Sequence, residues 1–183
     1  MMLVNQLGAD KDVLSSMGET LLHNSALSGH AEAIKVLVNQ LGANKEAKTD
    51  IGMTPLHYAA CNGRVEALKV LVQLGADTEA KSAQGATPLH MAAGMRWPEA
   101  AKVLVELGAK LGAQALSGET PLQLSVMKGF HDVAHVLRAL ESTARARRAA
   151  AGRERARKPA VQDTAEAREA ADRMAAQLIE EEE

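Results

Sequence analysis

The side chains with the most chemistry to offer in this 183-residue chain are six histidines and one cysteine. A histidine serves as general base or metal ligand only where partners converge on it. His23, His57 and His90 instead recur at intervals of 34 and 33 residues. One histidine per stacked unit places successive imidazoles roughly 10 Å apart, whereas a zinc ion holds its nitrogen ligands at about 2 Å. His131 and His135 lie four apart, on one face of a helix, with no third ligand at a useful spacing. His30 reads as a helix-start residue. Cys61 has no sequence partner that makes it a nucleophile, so it reads as a small buried hydrophobe or an inert thiol. Asp10 and Asp12 read as turn chemistry. No glycine-rich phosphate cradle exists apart from glycines that recur as punctuation. The expectation is therefore no catalytic residue, no metal and no cofactor.

The even spacing of those histidines leads to the elements that carry them. Gly-x-Thr-x-Leu recurs at Gly18, Gly52, Gly85 and Gly118, with Thr20, Thr54, Thr87 and Thr120 and then Leu22, Leu56, Leu89 and Leu122 in step. A second half-pattern repeats as Ile34-Lys35-Val36-Leu37, Leu68-Lys69-Val70-Leu71 and Ala101-Lys102-Val103-Leu104, with a weaker copy at Ala134-His135-Val136-Leu137. Gly-Ala follows at Gly42-Ala43, Gly75-Ala76 and Gly108-Ala109, and precedes the first copy at Gly8-Ala9. Threonine followed by proline is a helix start, the hydroxyl capping free N–H groups and the ring filling the first turn. It stands at Thr54-Pro55, Thr87-Pro88 and Thr120-Pro121, with Leu21 in place of proline in the first copy. Gly29, Gly63 and Gly129 end the short helices in a left-handed turn. A second helix follows, as over Val65 to Leu74 with Val65, Leu68, Leu71 and Val72 on one face. A Gly/Asp/Ser-rich turn or hairpin completes each unit.

Gly52-Met53-Thr54-Pro55-Leu56-His57-Tyr58-Ala59-Ala60 and Gly85-Ala86-Thr87-Pro88-Leu89-His90-Met91-Ala92-Ala93 resemble the ankyrin-repeat signature, at that family's period. The resemblance covers roughly Leu3 to Leu140. It implies an all-α repeat, a solenoid of helix-turn-helix units with short hairpin loops, followed here by a charged, Ala-rich helical or disordered tail. The organisation expected is a truncated half repeat over 1–17, repeats over 18–51, 52–84 and 85–117, and a more polar terminal repeat over 118–141 in which Gln123 replaces the histidine. A basic linker over 142–158 and an acidic helical tail over 159–183 complete it. The resemblance also implies that the recurring histidines tie neighbouring hairpins to the Thr caps. It further implies that partners dock on the hairpin tips and the concave face of the first helices. Those positions are Asp50, Ile51, Met53, Cys61 and Asn62, then Gln84, Ala86 and Met95, and then Leu116, Glu119, Met127 and Lys128.

The third unit departs from the pattern. Met95-Arg96-Trp97-Pro98 stands where Asn62-Gly63-Arg64-Val65 stands in the second, so Arg96 must take the left-handed turn at a cost on the order of 1 kcal/mol. Trp97, the single tryptophan, is either a binding anchor or a cover for the gap between units.

Composition sets the remaining limits. The chain is 46% hydrophobic with 2% aromatic residues, which suits closely packed helices rather than a sandwich. A net charge of −2 excludes a globally basic nucleic-acid binder. One cysteine excludes a disulfide framework. No apolar run approaches the roughly 20 residues of a membrane span, and no secretory signal opens the chain. Charge is segregated at the far end: Arg145, Arg147, Arg148, Arg153, Arg155, Arg157 and Lys158 face only Glu154 over 142–158, and Pro159 then introduces a stretch with eight acids against Arg168 and Arg173. The basic block reads as a solvated linker or an electrostatic contact, and without aromatic residues to stack on bases nucleic acid is not the expected partner. The acidic block carries Ala160, Thr164, Ala167, Ala171, Met174 and Leu178 at coiled-coil spacing.

These observations predict a non-catalytic protein-interaction scaffold, monomeric, in the cytoplasm with the nucleus as an alternative, binding a protein of unknown identity. The apolar start at Met1-Met2-Leu3-Val4 and the acidic end suggest, as an alternative, a regulatory or targeting fragment of a longer multidomain protein. Nucleic-acid contact through the basic block is the third reading.

Overall fold

The computed structural model describes residues 15–157, with side chains as far as Arg153. Most of the expected half repeat, Lys158, and the acidic stretch with its Pro159 lie outside the described residues. The chain divides into two compact bodies at Ser142/Thr143. Eight helices and no strand are found among the described residues. They are α1 (Leu21–Ser28), α2 (Ala31–Asn39), α3 (Pro55–Cys61), α4 (Val65–Gln73), α5 (Pro88–Gly94), α6 (Pro98–Glu106), α7 (Pro121–Met127) and α8 (His131–Arg157).

The first helices pack as a series, α1 on α3 on α5 on α7, and the second helices likewise, α2 on α4 on α6. Alanine permits this close approach. Ala59, Ala60, Ala92, Ala93 and Ala101 are wholly buried, interleaved with Leu56, Leu68, Leu71, Leu89 and Leu104 in one continuous core. Val133 and Leu137 of α8 close that core at its end. Proline fills the first turn of α3, α5 and α7, each beginning behind an extended threonine cap. Gly29, Gly63 and Gly129 take φ of 82°, 63° and 71°, and Arg96 is the one described non-glycine residue with positive φ, at 63°. The substitution at the third turn thus keeps the left-handed geometry that the repeat demands and carries its strain.

The loops between repeats are tight turns rather than paired strands. Within each, one N–H closes the tip: Gly52 on Thr49 O, Gly85 on Ser82 O, Gly118 on Ala115 O. Each tip is then tied to the one before it, as Asp50 N–H donates to Met17 O, Ala83 N–H to Ile51 O and Leu116 N–H to Gln84 O, at 3.2, 2.9 and 2.9 Å. The opposite end of each loop carries a second set of ties. Lys48 Nζ donates to Lys81 O and Lys81 Nζ to Gln114 O, both at 3.2 Å, while Glu46 accepts from Asp77 N–H and Glu79 from Lys110 N–H. These bonds engage loop backbone groups without a sheet.

Candidate functional site

The recurring histidines occupy the third helical position, where the backbone N–H of the capping threonine donates to Nδ1 at 3.1–3.2 Å in all three repeats. A backbone donor at Nδ1 leaves the proton on Nε2. Nε2–H then donates across the repeat boundary, from His23 to Met53 O, His57 to Ala86 O and His90 to Glu119 O, each at 3.0 Å. The role implied by the resemblance, tying cap to neighbouring loop, is therefore the one the structure shows. These imidazoles are committed at both nitrogens and buried. Burial holds all three below the ordinary histidine range, His57 to about 4. Among the described residues no group of three or more His, Cys, Asp or Glu side chains is placed to hold a metal ion. His131 and His135 are both exposed on α8.

Cys61 is half-buried at the end of α3, and burial raises its thiol to about 11, so it stays protonated at neutral pH. Tyr58 on the same helix donates to Glu19 at 2.6 Å and meets the edge of His23, with ring centroids 5.1 Å apart. Burial, reinforced by the Glu19 hydrogen bond, pushes the phenol up to about 12.

The expected contact residues separate by accessibility. Ile51, Met95, Leu116 and Met127 are exposed by 51, 52, 78 and 69%, large apolar side chains offered to solvent. Asp50 and Gln84 are exposed beside them on the tips. Met53 is half-buried, its carbonyl taken by His23. Asn62 is half-buried and donates from its amide to Tyr58 O at 2.9 Å. Ala86 departs from expectation. It is buried, and its carbonyl faces inward to accept from His57.

Trp97 covers the gap between repeats. Its Nε1–H donates to Cys61 O at 2.8 Å, and its ring lies so close to Gly63 that a Cβ there would stand 2.5 Å from Trp97 Cδ2. The residue as a whole is 42% exposed. Arg96 reaches forward to Asp132 at 3.1 Å, an exposed ion pair.

A groove of about 230 Å³ gathers Gln84, Ala86, Met95, Glu119 and Lys128 between the last two tips and helices α5 and α7. Lys128 closes one wall by donating to Gly94 O at 2.9 Å. Met91 and Leu124 line the groove as well, and sequence reasoning did not single them out. Met91 follows His90 directly, at the place Tyr58 holds after His57, and that equivalence was the available signal. A shallower hollow of about 560 Å³ lies over α7, lined by Leu122, Val126 and Met127, with Glu119 (hydrogen-bonded to Ser117) and Arg138 at its polar edge.

In the second body, α8 runs on through the basic block to Arg157. Arg145, Arg147, Arg148 and Arg153 are exposed. The side chains of Arg155 and Arg157 lie outside the described residues, as does Lys158. No helix among the described residues is long and apolar enough to cross a membrane.

The family model for ankyrin repeats, three copies long, matches residues 2–82 and again residues 74–147. No curated protein matches the chain.

Proposed function

Because the chain belongs to the ankyrin-repeat family, whose repeats generally mediate protein–protein contact, we propose that it is a non-catalytic interaction scaffold binding one protein through its loop tips and the concave face of its first helices. The observation that carries this is the contrast between the bonds that engage the repeat boundaries and the apolar side chains left on the surface. The histidines, threonine caps and loop carbonyls are engaged between repeats, while Ile51, Met95, Leu116 and Met127 spend large apolar side chains on solvent. Exposed apolar residues on a rigid support are what a partner desolvates, and methionine adapts its shape to what it meets. The groove between α5 and α7 adds Glu119 and Lys128, one acceptor and one donor, at the edge of Met91 and Met95. Trp97 is held through its Nε1–H on Cys61 O, stays 42% exposed, and does not line that groove.

The test compares the full chain with a variant carrying Ile51→Ser, Met95→Gln, Leu116→Ser and Met127→Gln. Each site is exposed, so the melt should stay nearly unchanged. Affinity capture from source lysate, with nuclease and at physiological salt, should recover a specific protein with the parent chain and lose it with the variant. Equal capture by both would overturn the assignment of the surface.

A further inference from the structure

We propose that the Arg145–Arg157 segment of α8 is a binding element for double-stranded DNA, seated in the major groove. The proposal concerns the second body and stands apart from the repeat surface.

The arrangement of charge carries it. At about 100° per residue, Arg145, Arg153, Arg147 and Arg148 fall near 0, 80, 200 and 300° around the helix, one in every quarter of its circumference. All four are exposed, and among the described residues none makes an ion pair. Arg145 has Arg148 three residues on. Like charges at that spacing oppose the helix they sit on. Between the arginines there are only alanines, Gly152 and Glu154.

Three classes of partner fit this poorly. A membrane surface needs an apolar face of large side chains, and this segment has none. A partner helix needs apolar residues at heptad positions, which are absent too. An acidic protein surface approaches from one side and leaves the cations of the far side unmatched. A groove with anionic walls on both sides meets the whole circumference. The major groove of B-form DNA is about 12 Å wide and admits an α-helix. Alanine keeps this helix narrow enough to enter with its arginines extended to both backbones. The absence of aromatic residues argues against single strands, which are held by stacking. A-form RNA has a deep, narrow major groove that suits a helix less well. Composition alone allows the block to be either a solvated linker or an electrostatic contact. Its helical register, and not its charge count, is what points to a duplex.

The test is fluorescence anisotropy with the full-length protein and a labelled 20-base-pair DNA duplex. Binding is expected at 50 mM salt, with a slope of log K against log salt of about −3.6 to −5.4 if four to six phosphates are neutralised. The variant R145A/R147A/R148A/R153A should lose at least tenfold in affinity. Alanine is the best helix former, so that loss does not reflect a melted helix, and circular dichroism should show the repeats unchanged. Failure of the parent chain to bind at 50 mM salt, or equal binding by the variant, overturns the proposal. Equal affinity for the single strand or for duplex RNA of the same sequence overturns the groove assignment. Displacement of the duplex by polyglutamate at equal charge would mark the helix as a site for acidic protein instead.

Discussion

Acid should loosen this stack at its histidines. His57 accepts a backbone N–H at Nδ1, donates from Nε2 to Ala86 O, and is held near pH 4 by burial against an ordinary 6.5. A proton on Nδ1 expels the threonine N–H from its acceptor, so the fold prefers the neutral ring. The unfolded chain takes up that proton near 6.5, which makes the stabilisation complete above that pH and progressively lost between 6.5 and 4. Between pH 7.5 and 5.0 the loss from His57 alone is about 2 kcal/mol. His23 and His90 are lowered for the same reason and add in the same direction. Glu19, Glu119 and Asp132 are held below the ordinary carboxylate range by hydrogen bonds from Tyr58, Ser117 and the Val133 N–H. The last repeat supplies the control. Gln123 takes the histidine position there, and its Oε1 accepts the Thr120 N–H at 2.9 Å, so glutamine preserves the cap. His57→Gln should cost about 1–2 kcal/mol at pH 7.5 through the lost bond to Ala86 O. It should also shrink the drop between pH 7.5 and 5.0 by about 2 kcal/mol. Urea titrations at both pH values, followed by far-UV circular dichroism and Trp97 fluorescence, measure both quantities. An unchanged pH dependence in His57→Gln would refute the reasoning.

Two further substitutions probe the turn between repeats. Gly63→Ala puts a Cβ 2.5 Å from the Trp97 ring on a backbone with φ of 63°, and should destabilise by about 2–3 kcal/mol. A lowered melting temperature with a red-shifted tryptophan emission would accompany it, since Trp97 must leave Cys61 O. Arg96→Gly relieves a left-handed non-glycine residue and gives up only an exposed ion pair, so stability should rise by about 0.5–1 kcal/mol in chemical denaturation. A loss there would mean the Asp132 pairing outweighs the strain.

Features fixed by a single repeat could be read from the sequence, and features fixed between repeats could not. The Thr-Pro starts, the left-handed glycines and the strained Arg96 depend on a few consecutive residues, and each is found where the pattern put it. The histidine bridges were reachable only through the family resemblance, because the acceptor lies 29 or 30 residues on. Nothing in the sequence marked Lys48 and Lys81 as ties between loops, or Cys61 O as the acceptor for Trp97, since those depend on how one repeat is rotated on the next. The same limit applies to Ala86, which the pattern put on the tip and the structure buries. The basic block was ambiguous for another reason: alanine favours helix, clustered arginine opposes it, and composition does not weigh one against the other.

The ties between repeats have a mechanical consequence. Every one of them, histidine, loop amide or lysine, joins a repeat to the next and skips none. Tension applied along the chain is therefore carried by every boundary in series, and the weakest gives way first while the others hold. A repeat that lets go releases 33 residues of slack, roughly 110 Å of extended chain, while its neighbours retain their own bonds. Such a stack yields in steps and recovers by re-zipping onto whichever repeat is still folded, behaving as a short spring whose stiffness is set by its weakest joint.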